Sequence, residues 1–139
     1  MIVGEEVHPT VLKALGLLGL GRDRIVRVPV DGQGRMLASA LPAISGPTIV
    51  VAQAGNLNTG AFDPLPAIIA HAHAGGAWVH VDGAFGLWAG AVPALAHHVA
   101  GVEQADSVGD GCAQVAQRAV RQRDRAGQAM ARRCGRRWR

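Results

Sequence analysis

At 139 residues, 49% apolar and only 4% aromatic, the chain has material for one modest domain with an aliphatic core. No run of 18 apolar residues is present, which excludes a helical membrane span, and no basic segment followed by an apolar one opens the chain, so a cytoplasmic protein is expected. The net charge of +4 would suit a nucleic-acid partner only if it were spread over the chain, and it is not.

In chain order, Ile2-Val3-Gly4 reads as the end of a strand. Val11, Leu12, Leu15 and Leu18 have helical spacing from Thr10 onward, and Gly19 and Gly21 should end that helix. Ile25 to Val30 alternates as a strand, and Pro29 demotes it towards an edge. Asp31 to Gly34 is a turn. A short helix is expected over 36–43, a buried strand over 47–52, a helix over 64–74 closed by Gly75-Gly76, and a third strand over 77–81. A further helix is expected over 93–99, and Ala105-Asp-Ser107 starts another strand. Strands and helices alternate at short spacing, so the fold class is α/β with a mainly parallel sheet and flanking helices.

The last stretch differs in kind. Nine of the 13 arginines lie between Arg118 and Arg139, whereas residues 1–107 carry four arginines and one lysine against eight acids. The two cysteines, Cys112 and Cys134, form no metal-spaced or redox pair, and no metal site is expected. The arginines have no aromatic interleaving beyond Trp138, so a nucleic-acid-binding module is the weaker alternative.

Among residues that could carry chemistry, Asp82 stands out. It ends the apolar run Ala77 to Val81 and is followed at once by Gly83-Ala84. Ligands of parallel sheets sit beyond the carboxyl ends of the strands, and a carboxylate buried there needs a cation or several donors. A turn-forming Asp is the structural alternative. His8 on its own reads as a capping or loop histidine. Asn56 and Asn58 suit either a ligand or a loop of turn formers. His80 is read as packing behind the site, and His71, His73, His97 and His98 as helix-surface residues. Lys13 is the single lysine.

Three segments, EEVHPTVLKAL at 5–15, AQAGNLNTGAFDP at 52–64 and HVDGAFGLWA at 80–89, together resemble the pyridoxal-phosphate-dependent group II amino-acid decarboxylases. The resemblance runs from about residue 3 to 107. It implies part of the large domain of a fold-type-I enzyme, a pyridoxal 5'-phosphate cofactor, an amino-acid substrate and a homodimeric parent. It implies that Asp82 keeps the pyridine nitrogen protonated, that His8 stacks on the ring, that Ala84 packs under it, and that Asn56 or Asn58 bonds its oxygen or the nearby acid. An aminotransferase or desulfurase of the same fold type would share the Asp-ended strand, but not the pair of segments at 52–64 and 80–89. The resemblance does not name the amino acid, and the chain starts after the segment expected to hold the phosphate.

The family also uses a lysine that forms a Schiff base with the cofactor, shortly after the Ala-Asp-Ser strand. None follows Ser107 here. Permitted codons for Val108 onward, GTG GGC GAC GGA TGC GCA CAA GTG G, give TGG GCG ACG GAT GCG CAC AAG TGG when the first base is dropped. That reads WATDAHKW, with the lysine arising across Gln114 and Val115, and the same frame continues as LNVPYDSGIA. The expectation is a division into residues 1–107, a partial cofactor-binding domain, and 108–139, a frame-shifted basic tail without catalytic competence.

Overall fold

The computed structural model describes residues 1–20 and 23–110. The expected helix stop at Gly21 and the tail from residue 111 lie outside the described residues.

Five strands form one parallel sheet: β1 (Ile2–Gly4), β2 (Val26–Val28), β3 (Ile49–Gln53), β4 (Trp78–Asp82) and β5 (Ser107–Gly109). Their spatial order is β2-β1-β3-β4-β5. Helix α1 (Pro9–Leu17) connects β1 to β2, and α2 (Leu65–Ala74) connects β3 to β4. β3 is an Ile-Val-Val-Ala run buried from Val50 to Gln53, as expected of a central strand covered on both faces. β4 alternates instead. Val79 and Val81 are wholly buried, while Trp78, His80 and Asp82 share the opposite face and are half-buried. β2 is an edge strand, as Pro29 beside it anticipates.

The two helices lie on opposite faces. Val11 and Leu12 of α1 pack on Val3, Val7 and Val51. α2 sinks Leu65, Ile68, Ile69 and Ala72 into the larger cluster with Val50, Ala52, Val79 and Val81. Each Val, Leu or Ile among them, fully buried, contributes about 1.5–3 kcal/mol. Pro9 opens α1, where its missing N–H costs no hydrogen bond.

Several expectations are corrected. The helix over 36–43 is absent apart from one 3-10 turn, Ala38–Ala40. Met36 is extended in an antiparallel bridge with Val30, and Pro42 holds Leu41 in the extended region. The helix over 93–99 shrinks to a 3-10 turn, Ala96–Val99, and a second such turn spans Leu87–Ala91. Leu18 lies past the end of α1 and is 71% exposed, so the apolar stripe stops at Leu15. The strands expected over 47–52, 77–81 and 105–107 lie one or two residues further on. β5 continues through Val108 and Gly109, which pair with Val81 and Asp82. Among the described residues no helix is long and apolar enough to cross a membrane.

One buried acid ties the loops to the sheet. Asp63 is 5% exposed, and its carboxylate accepts from the backbone N–H of Met36 and of Gln53, both at 2.7 Å. Burial pushes its pKa above the ordinary 3.8, against the pull of those two N–H groups. Asp63→Ala strands both donors, and an unsatisfied buried group costs about 1–3 kcal/mol. A urea titration should show a loss of at least that size. Because the native state holds the Asp63 proton more tightly than the unfolded chain, stability from this group grows as pH falls from the raised value towards 3.8. The stability of the wild type relative to Asp63→Asn should therefore rise on acidification, and a fall would mean that the two N–H bonds outweigh burial.

Candidate functional site

The strand order sets where a ligand can sit. From β1 the chain crosses to β2 on one side, while β3, β4 and β5 build outward on the other. The two crossovers diverge at β1 and β3, which makes their carboxyl ends a topological switch point, the usual ligand crevice of such sheets. A cleft of about 200 Å³ lies there, lined by Glu6 to Pro9 after β1 and by Gln53 and Asn56 to Asn58 after β3.

His8 lines this cleft and also caps α1. Its Nδ1 is 2.6 Å from the Thr10 hydroxyl and accepts from the Thr10 N–H at 3.4 Å. The cap fixes one ring nitrogen and leaves Nε2 for other contacts. Asn56 is 4% exposed, and its side chain is largely engaged. Its Oδ1 accepts from the N–H groups of Asn58 and Thr59, and its Nδ2 donates to Glu6 Oε2 at 3.4 Å. Asn56 thus shapes the loop and anchors Glu6. Asn58 contributes to the cleft wall.

Asp82 stands one strand further on, paired with Gln53 of β3 and Gly109 of β5. Its Oδ1 accepts from the Ala84 N–H at 3.2 Å, which turns the carboxylate back over the strand end. No lysine or arginine pairs with it among the described residues. Gln53 joins the two halves of the site. It is 7% exposed, borders the cleft, pairs with Asp82, and donates from Nε2 to the Glu6 carbonyl at 3.2 Å. The turn after Asp82 is pressed against β3. The Gly86 N–H donates to the Ala54 carbonyl at 2.9 Å, and Gly55 meets it with φ +94°. A Cβ at Gly86 would lie 2.5 Å from that carbonyl oxygen and from Phe62.

The structure brings His8 and Asn56 together in the cleft and sets Asp82 at the end of the neighbouring strand β4, with Ala84 in the turn after it. His71 and His73 turn out to anchor α2. His71 Nε2 donates to the Pro42 carbonyl at 2.9 Å, and His73 Nε2 lies 2.9 Å from Asp106 Oδ2. His98 stacks on Phe62. Sequence reasoning missed Glu6, Gln53 and Asp63 as individual residues, because their importance comes from backbone groups distant in the chain. The one signal was Asp63 itself, an acid set between Phe62 and Pro64.

Comparison with known proteins gives a family, relatives and solved structures. The pyridoxal-dependent decarboxylase conserved domain matches residues 1–112. Human cysteine sulfinic acid decarboxylase is 34% identical over 78% of this chain and 24% of its own length. The L-2,4-diaminobutyrate decarboxylase of Rhizobium meliloti is 35% identical over 62% of this chain and 19% of its own. Among solved structures, mouse CSAD superposes with a TM-score of 0.74 at 35% identity, covering 78% of this chain and 25% of that one. Oryza sativa TDC with PLP and tryptamine gives 0.70 at 29%, covering 78% and 24%. The chain spans about a quarter of the length of these relatives.

Gly86→Ala should cost about 1–3 kcal/mol by forced overpacking, read as a lower denaturation midpoint. A neutral effect would mean that the turn carrying Ala84 is not held against β3.

Proposed function

The chain belongs to the pyridoxal-dependent decarboxylase family, and from that membership we propose that residues 1–107 carry the ring-binding edge of an amino-acid decarboxylase. The observation that supports this best is Asp82. It is a half-buried carboxylate at the carboxyl end of a parallel strand, oriented by the Ala84 N–H and lacking a lysine or arginine partner among the described residues. Such a group fits a protonated pyridine nitrogen, because a half-buried carboxylate gains most from a cation that is itself desolvated. When bound, pyridoxal 5'-phosphate supplies an electron-accepting ring that takes up the electron pair left as carbon dioxide departs.

The chain's own residues divide the remaining work. Asp82 holds the proton on the ring nitrogen. His8, fixed through Nδ1 by its cap, offers a flat face to the ring and its Nε2 to a substrate carboxylate. Ala84 keeps the space beneath the ring open. Asn56 holds Glu6 and the 56–60 loop in place, and Asn58 is the amide left to reach a ligand oxygen. The substrate is an amino acid, and the parent acts as a cytoplasmic homodimer.

This chain by itself is inactive on this reading. Its single lysine, Lys13, is exposed on α1, outside the cleft lining. Residues 108–139 are a frame-shifted stretch of the parent gene, in which the His-Lys pair is spelled out of frame.

Two measurements test this. The purified chain, supplied with pyridoxal phosphate and with cysteine sulfinate, glutamate, 2,4-diaminobutyrate or tryptophan, should release no carbon dioxide, and turnover of any of them overturns the inactivity. Resequencing codons 105 to 139 from source DNA should reveal one base too many or too few, with WATDAHKW in the corrected frame. A frame that stands as written refutes the account of the tail.

A further inference from the structure

Behind Asp82, on the same face of β4, lies a polar chain that the roles above do not use. Trp78 Nε1 donates to Ser107 Oγ at 3.0 Å, and the same oxygen lies 2.9 Å from His80 Nδ1. Trp78, His80 and Asp82 occupy alternate positions of one strand, so their side chains share one face. β5 brings Ser107 opposite His80 and Gly109 opposite Asp82, while β3 sets the apolar Val51 on the other side of His80.

We infer that His80 is a positioning residue for Asp82: Trp78 and Ser107 fix its imidazole so that a neutral Nε2–H is offered on the Asp82 side of the sheet, steadying the carboxylate that meets the pyridine nitrogen. This rests on the cofactor reading given above.

The tautomer is part of the inference. An indole N–H can only donate, so Trp78 occupies one lone pair of Ser107 Oγ. We assign the serine's proton to His80 Nδ1, the polar atom 2.9 Å away. An imidazole that accepts at Nδ1 carries its proton on Nε2. The ring also points the right way. His80 Cε1 and Nε2 both lie 3.4 Å from where a Cβ on Gly109 would stand. Since Gly109 is the cross-strand partner of Asp82, that ring edge lies along the row containing the carboxylate.

Neutrality is what makes the arrangement useful. A cationic His80 would pair with Asp82 and compete with the protonated ring for its charge. A neutral N–H can orient the carboxylate without cancelling that charge. Burial depresses the His80 pKa below its ordinary 6.5, and the Asp82 carboxylate opposes the shift, so the two groups sense one another across the strand.

The test uses the 139-residue chain without cofactor, with 15N-labelled histidine followed by NMR through pH. At neutral pH, His80 should show an acceptor-type shift at Nδ1 and an N–H-type shift at Nε2, with a midpoint below 6.5. Asp82→Asn should move that midpoint further down. Ser107→Ala should abolish the tautomer preference, and Ser107→Thr should restore it, with the backbone amide spectrum confirming that each variant is folded. An Nδ1–H tautomer in the wild type, a midpoint indifferent to Asp82→Asn, or a preference that survives Ser107→Ala overturns the inference. Pyridoxal phosphate titrated into the same samples and followed by absorbance addresses the cofactor reading separately. The imidazole spectra need no cofactor, so failure of one is distinguishable from failure of the other.

Discussion

The site depends on a single buried carboxylate that lies outside the cleft lining. Asp63 accepts the N–H of Met36 with one oxygen and that of Gln53 with the other. Its own N–H donates back to the Gln53 carbonyl. Three segments are joined there: the turn after β2, the end of β3, and the entry to α2. A buried charge is tolerated where donors satisfy it, and backbone N–H groups of a rigid sheet are donors that cannot move away. Gln53 is thereby fixed, and through it the Glu6 carbonyl on one side and the β4 strand end on the other.

From this anchor the electrostatics of the crevice follow. A parallel sheet presents all its strand ends on one side, so Gln53, Asp82 and Gly109 form a row across neighbouring strands, with Glu6 just past the end of β1. The polar atoms of that row are held by backbone more than by one another. Asp82 takes the Ala84 N–H, Asn56 takes those of Asn58 and Thr59, and His8 takes that of Thr10. Each of these is a short local bond that fixes a side chain without using its outward side. This is how a chain with so few aromatic residues can still hold a polar site rigidly.

What could be read from the sequence, and what could not, divides on range. The placement of Asp82 at a strand end was legible because it follows the short run Ala77 to Val81 and precedes the Gly83-Ala84 turn. His8 was legible as a residue, but its double duty as helix cap and cleft wall depends on Thr10 reaching back to it. Asn56 was legible as a polar loop residue, while the engagement of its side chain by Glu6 and by its own loop was not. The lost helix over 36–43 shows the limit on the fold side. Its local pattern is weakly helical, but the bond from Met36 to Asp63, 27 residues away, and the proline at 42 decide the matter. The switch point was out of reach for the same reason, since strand order is a property of pairings and not of any one segment.

The position of β1 has a consequence for how the sheet comes into being. Ile2 to Gly4 lie between β2 and β3, although they precede both in the chain. Ile2 finds Val26 on one side and Val50 on the other. During synthesis, at about 5–20 residues per second, an apolar strand with two bare edges therefore stays unpaired for seconds. Its first neighbour supplies only one edge, and the second must wait for β3 to emerge. Pairing of these five strands is in this sense limited by a central strand made before both of its neighbours, and the interval before β3 emerges is when a chaperone or a stray strand edge competes for it.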